Sequence, residues 1–224
     1  MNSSWRTEIL AVLRKEAQVE WRTRSGLMTA GLFGLAATAA TTFAAMTEKL
    51  TPGVISALLW ITLLFAATVW LPRAFLVESE QGTTDLLRLL VRPHALFWGK
   101  ALFNLVSMSI GALGLAALLL LLVGAVPTQP FLFVVCLVSG IAALSGTMTL
   151  CGALAVDAGN RFLLAGAISV PLLIPLLAIA VAGTGASFEV AASGQAVVSA
   201  VGLVCYAVAT FALGPHIFAA VWKI

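Results

Sequence analysis

Charge is what this chain has least of. Only 9% of its 224 residues are Asp, Glu, Lys or Arg, while 61% are hydrophobic, and soluble domains carry about a quarter charged residues. Too little polar surface is left to cover a water-soluble globule. The three cysteines, Cys136, Cys151 and Cys205, all lie in apolar tracts without a CxxC or CxxCH spacing. Metal binding and covalent haem attachment therefore have no motif, and the thiols read as small core residues.

Other absences narrow the function. No phosphate-binding loop exists, since Gly99-Lys100 lacks both the preceding Gly-rich turn and a following Ser or Thr, so ATP chemistry must come from another subunit. Only two histidines, His94 and His216, are available, and the acidic residues sit in loops or at tract ends. That excludes an obvious catalytic constellation. The apolar tracts read as free of ionisable residues, unlike those of ion-coupled transporters. A net charge of +3 is scattered at tract edges without forming a patch, so a nucleic-acid partner is not expected.

What the sequence has in abundance is uninterrupted apolar chain. Six tracts run approximately 27–46, 52–71, 101–126, 131–156, 162–183 and 196–222. A helix needs about 20 residues to cross a hydrocarbon core of about 30 Å, and none of the tracts shows the two-residue alternation of barrel strands. The expected fold is an all-α membrane protein, a six-helix bundle filling residues 27–224 after a cytoplasmic segment, 1–26.

Topology follows from where the cations fall. With six spans, eleven of the twelve Lys and Arg residues collect on one side and only Lys49 on the other, which puts both termini in the cytoplasm. A single span more or less would destroy that bias. The first 26 residues mix Glu8, Glu16 and Glu20 with five cations, unlike a cleaved secretory signal. The outer connections, 47–51, 127–130 and 184–195, are too short for a receptor domain, and Glu189 in the last reads as a solvated charge.

Two cytoplasmic stretches do not fit a plain bundle. In residues 5–24, Trp5, Ile9, Val12, Leu13 and Ala17 recur at helical spacing, which describes an amphipathic helix in the headgroup plane with Trp5 and Trp21 at the interface. It is either a basic anchor for anionic lipid or an elbow that shapes contact with neighbours. In the loop 76–100, Thr83, Thr84 or Asp85 caps a short helix whose Leu86, Leu87, Leu89 and Leu90 form one apolar face until Pro93 ends it. Arg88 bars this helix from the bilayer centre, where it would cost about 2.5–3.5 kcal/mol. The leucines then need either a groove on a cytoplasmic protein or the membrane surface.

The remaining motifs concern packing. Pro171 and Pro175 in the fifth tract each remove a backbone donor, predicting a kinked helix whose neighbours supply missing partners. Gly111, Gly114, Ser139, Gly140, Ser145 and Gly146 permit close helix approach. Asp157, Asn160 and Arg161 read as a topological turn. His216, beside Gly214 and Pro215, reads as structural or as an iron ligand, and His94 after Pro93 carries the same two readings.

Three segments together resemble a known family. EAQVEWR (Glu16, Trp21 and Arg22 within it), ESEQGTTDLLRLLVRPHALFWGK and ALAVDAGNRFLLAGAISVPLLIPLL are similar to the haem exporter protein B (CcmB) family, permeases of the cytochrome c maturation system and of the broader ABC-2 type class. The match spans nearly the whole chain, with the second Thr of GTTD as a departure. The resemblance implies an inner-membrane, non-catalytic permease subunit with an elbow helix. It implies that Glu78, Glu80, Gly82, Thr83, Asp85, Leu86, Leu87, Leu89, Leu90 and Pro93 meet a cytoplasmic ABC ATPase (CcmA-like).

Further implied partners are a haem-handling membrane subunit (CcmC-like), a small membrane subunit (CcmD-like), a second copy of the chain and a periplasmic haem chaperone (CcmE-like). ATP would reside in the partner and haem in the complex, with no cofactor assigned to this chain, because the tryptophan-rich haem signature of the sister subunit is absent. The alternatives are an ABC-2 type exporter of a drug or lipid, and an ATP-independent channel or carrier.

Overall fold

The computed structural model describes residues 5–47, 50–70, 78, 82–155 and 161–222, and every regular element among them is helical. The chain opens with α1 (Trp5–Thr23), followed after a single residue by α2 (Ser25–Thr47). That residue, Arg24, has φ of +52°, a left-handed conformation unusual for a side-chain-bearing residue. It breaks the helix axis at one position. α3 (Pro52–Trp70) returns, α4 (Thr84–Leu90) is the short helix of the central loop, and α5 (Pro93–Val123), α6 (Pro130–Leu154), α7 (Arg161–Ala186) and α8 (Ser193–Trp222) complete the bundle.

Helix boundaries follow local chemistry. Pro93 and Pro130 occupy the first turns of α5 and α6, where a missing N–H costs nothing. Gly124, at φ of +70°, ends α5 as a left-handed C-cap that only glycine adopts freely. Two expected boundaries are corrected here. The third tract, expected at 101–126, begins at Pro93, since the proline that stops α4 also starts the next helix. The outer connection expected at 184–195 is mostly helical: α7 reaches Ala186, a 3-10 turn covers Val190–Ala192 and α8 starts at Ser193.

Among the described residues, five helices are long and apolar enough to cross a membrane, while the apolar stretch of α3, Pro52–Thr68, is shorter. α6 is the central member, with 67% of its most apolar window buried against 22–33% in the others. It packs on α5, α7 and α8. Small residues make this possible: Gly140 receives the ring of Trp60 and Gly146 receives Thr210. The Trp60 Nε1–H donates to Thr184 Oγ1 at 3.1 Å, and Asn104 Nδ2–H to Thr149 Oγ1 at 3.0 Å, so polar groups in the core are paired across helices. α7 runs through Pro171 and Pro175. The Tyr206 hydroxyl of α8 donates to the Leu172 carbonyl at 2.6 Å, so a neighbouring helix bonds the backbone beside these prolines.

Candidate coupling site

α1 packs along the first turns of α5. Its inward stripe is Ile9, Val12, Leu13 and Glu16, of which Val12 and Glu16 are buried and Ile9 and Leu13 half-buried, while Trp5 and Ala17 are exposed. The i, i+3, i+4, i+7 pattern therefore holds with an acidic residue as its last member. Val12 lies directly on Gly99. A β-carbon added there would fall 2.6 Å from Val12 Cβ, so glycine is what lets the helices meet. Leu96, Phe97, Ala101, Phe218 and Trp222 close around this contact.

At the end of the stripe four charges converge. The ammonium of Lys100, whose side chain is 0% exposed, lies 2.8 Å from Glu16 Oε1 and 2.9 Å from Glu78 Oε1. Lys15 approaches from the half-exposed side, 3.0 Å from Glu16 Oε1 and paired also with Glu78. Two cations and two carboxylates thus neutralise one another where isolated charges would be expensive. Burial alone would raise the Glu16 carboxyl, but the ammoniums of Lys100 and Lys15 outweigh it and hold the pKa below the usual 4.5. For Lys15, burial pulls down, and the carboxylates of Glu16 and Glu78 outweigh it to hold the pKa above the usual 10.5.

Glu78 connects this cluster to α4. Its carbonyl accepts hydrogen bonds from the Thr83 amide at 3.0 Å and the Thr83 hydroxyl at 3.1 Å, and Gly82, just before Thr83, has φ of +67°. Thr83 holds the cap position of α4 without a side-chain cap bond; its hydroxyl turns back to Glu78. The four leucines, expected to share one exposed face for a partner groove or the membrane surface, divide between two sides of the helix. Leu87 and Val91 pack inward on the Phe97–Trp222 cluster. Leu86, Leu89 and Leu90 point outward, at 57%, 84% and 70% exposed. The Arg88 guanidinium sits 5.0 Å over the Trp222 ring, and Arg92 lies 3.8 Å from Glu8. Ion pairs to α1 thus bracket α4 on both sides.

The other predicted residues fall as follows. Glu80, Arg73, Asp157 and Asn160, and the side chain of Asp85, lie outside the described residues. Pro93 opens α5. Trp21 is 75% exposed near the end of α1, with Arg22 beside it. His94 and His216, read singly from the sequence, meet edge to face with ring centroids 5.4 Å apart. No group of three or more metal-ligating side chains occurs among the described residues.

The burial of Lys100 has no signature in the apolar tracts themselves. In the sequence Lys100 is a cation at the edge of the third apolar tract; in the structure it is fully buried in α5. The signal was Pro93, whose place at a helix start puts Lys100 two turns inside the helix. For Glu16 the signal was its register with Ile9. Glu8 and Arg92 carried no signal, because each finds its partner far away in sequence, and neither did the pairing of Lys15 with Glu78.

Residues 7–222 match the family model described as CcmB protein. No curated protein matches the chain.

Proposed function

Since the chain belongs to the CcmB family, the membrane permease component of a haem-export and cytochrome c maturation ABC transporter, we propose that it is the subunit through which a partner ATPase moves the membrane bundle. In this reading α3 is a sixth span. Six spans would gather eleven of twelve Lys and Arg on one face, which supports a cytoplasmic position for both termini and α4, and the family supports a bacterial inner membrane. α1 is the elbow helix. The chain itself is non-catalytic; ATP belongs to a cytoplasmic ABC ATPase, and haem is cargo of the complex, handled with a haem-handling membrane subunit, a small membrane subunit and a periplasmic chaperone.

The observation that carries the proposal is the divided leucine helix. Leu86, Leu89 and Leu90, at i, i+3 and i+4, present an apolar face to solvent, the form that a groove on another protein accepts. The opposite face is fastened to α1, α5 and α8 through Leu87, Arg88 and the Glu78 cluster. A push on the outer leucines would therefore reach the ends of two long helices.

Co-purification tests it. The double variant Leu89→Glu, Leu90→Glu should insert into the membrane normally, lose the ATPase in mild detergent, and abolish holocytochrome c formation. Retention of both the ATPase and holocytochrome c would overturn the coupling role. Loss of drug or lipid tolerance with intact holocytochrome c would move the chain to the other ABC-2 type exporters.

A further inference from the structure

We propose that α1, α2 and α5 build a binding site for one anionic phospholipid, with the headgroup at the α1–α2 junction and an acyl chain in a slot between α2, α3 and α5. Two separate features carry this. The first is the junction. Trp21, Arg22, Lys15 and Gln18 line an open concavity of about 600 Å³ at the end of α1. Trp21 is 75% exposed, and the Arg24 guanidinium lies 5.3 Å from its ring centroid, its Nε–H donating to the Trp21 carbonyl at 3.3 Å. The left-handed turn at Arg24, φ of +52°, brings this arginine back over Trp21 instead of continuing along the helix. Tryptophan beside arginine is the chemistry of a membrane interface facing lipid phosphate.

The second feature lies deeper on α2. A slot of about 270 Å³ is lined by Ala30, Gly31, Ala66, Met108, Gly111 and Leu115, among others. A β-carbon added at Gly31, Gly111 or Gly114 would meet nothing within 4 Å, so bare helix backbone faces the space. Ala30 stands six residues beyond Arg24, about 9 Å further along α2, the direction in which tails run from a headgroup held at the junction. The lining is apolar, so its occupant is a hydrocarbon. A partner helix about 10 Å across exceeds the slot and would leave the arginines without an anion. A lipid satisfies both ends at once.

The test uses the purified full chain in detergent with equimolar phosphatidylglycerol and phosphatidylcholine, washed and then assayed for retained lipid by mass spectrometry. Phosphatidylglycerol should be retained in preference. Arg22→Ala and Arg24→Ala should each lower that preference about fivefold, as expected for one cation near a lipid phosphate. Gly111→Leu, which fills the slot without touching a charge, should reduce phosphatidylglycerol retention while both arginines remain. Equal retention of the two lipids by the unaltered chain would overturn the proposal without recourse to any variant. So would displacement of the lipid by glycerol phosphate, which has the headgroup anion and no tail, or an unchanged lipid ratio in both arginine variants.

Discussion

The Lys100 ammonium and the Glu16 carboxylate meet at 2.8 Å, although 84 residues separate them in sequence. Neither side chain is more than 9% exposed. Their pairing, shared with Glu78, joins the helix before the first span to the helix after α4, and so fixes where the short leucine helix can stand.

Removing one member should therefore cost more than removing the set. Lys100→Met leaves two carboxylates facing only Lys15, and breaking a buried pair in this way is expected to destabilise by about 3–5 kcal/mol. Adding Glu16→Gln and Glu78→Gln to Lys100→Met should recover most of that loss. Thermal unfolding of the detergent-solubilised variants is the measurement, and a single variant as stable as the parent would contradict the pairing.

The pH dependence has a definite sign on each limb. The Glu16 pKa lies below 4.5 in the folded chain, so its contribution is present above that value and is lost as pH falls through the lower, folded pKa. The Lys15 pKa lies above 10.5, so its contribution is complete below 10.5 and is lost as pH rises past the folded value. Stability from these two groups should be level between about pH 5 and 10. Melting curves recorded below pH 4.5 should show a steeper acid loss in the parent than in Glu16→Gln.

Gly99 is a contact and Gly111 is not. Gly99→Ala places a β-carbon 2.6 Å from Val12 Cβ and 3.1 Å from the Ile9 carbonyl oxygen, so it should destabilise by about 1–3 kcal/mol through overpacking. Gly111→Ala meets nothing within 4 Å and should instead gain about 0.5–1 kcal/mol from helix propensity. Comparing the two melting temperatures checks α1 against α5, and a neutral Gly99→Ala would place the helices further apart.

Topology is open to labelling. In a background without Cys136, Cys151 and Cys205, a cysteine at Leu89 should react with a membrane-impermeant maleimide in inverted vesicles and stay silent in intact spheroplasts. One at Val126, 81% exposed beyond the far end of α5, should do the reverse. Reaction of both from one side would break the six-span reading.

Much of the architecture was legible in advance because it depends on local composition. Apolar tracts of sufficient length and the leucine run of α4, stopped before Pro93, each carry their signal within one helix. Legibility failed where a residue's neighbours come from elsewhere in the chain. Leu86, Leu87, Leu89 and Leu90 are chemically identical, and only the packing of Phe97, Phe218 and Trp222 decides that Leu87 turns inward. His94 and His216 read as isolated residues until α5 and α8 bring their rings together.

What the sequence by itself determined is the solvent: this many apolar residues and so few charges require a bilayer, and the required backbone satisfaction makes the elements helices. Only the tertiary structure decided which charges are structural. Lys15, Glu16, Glu78 and Lys100 each look like ordinary interfacial residues, and a buried ion cluster exists only because α1 folds back along α5 over Gly99. Periodicity acts within a few residues, whereas Coulomb attraction acts between whichever groups the packed chain places within a few ångströms.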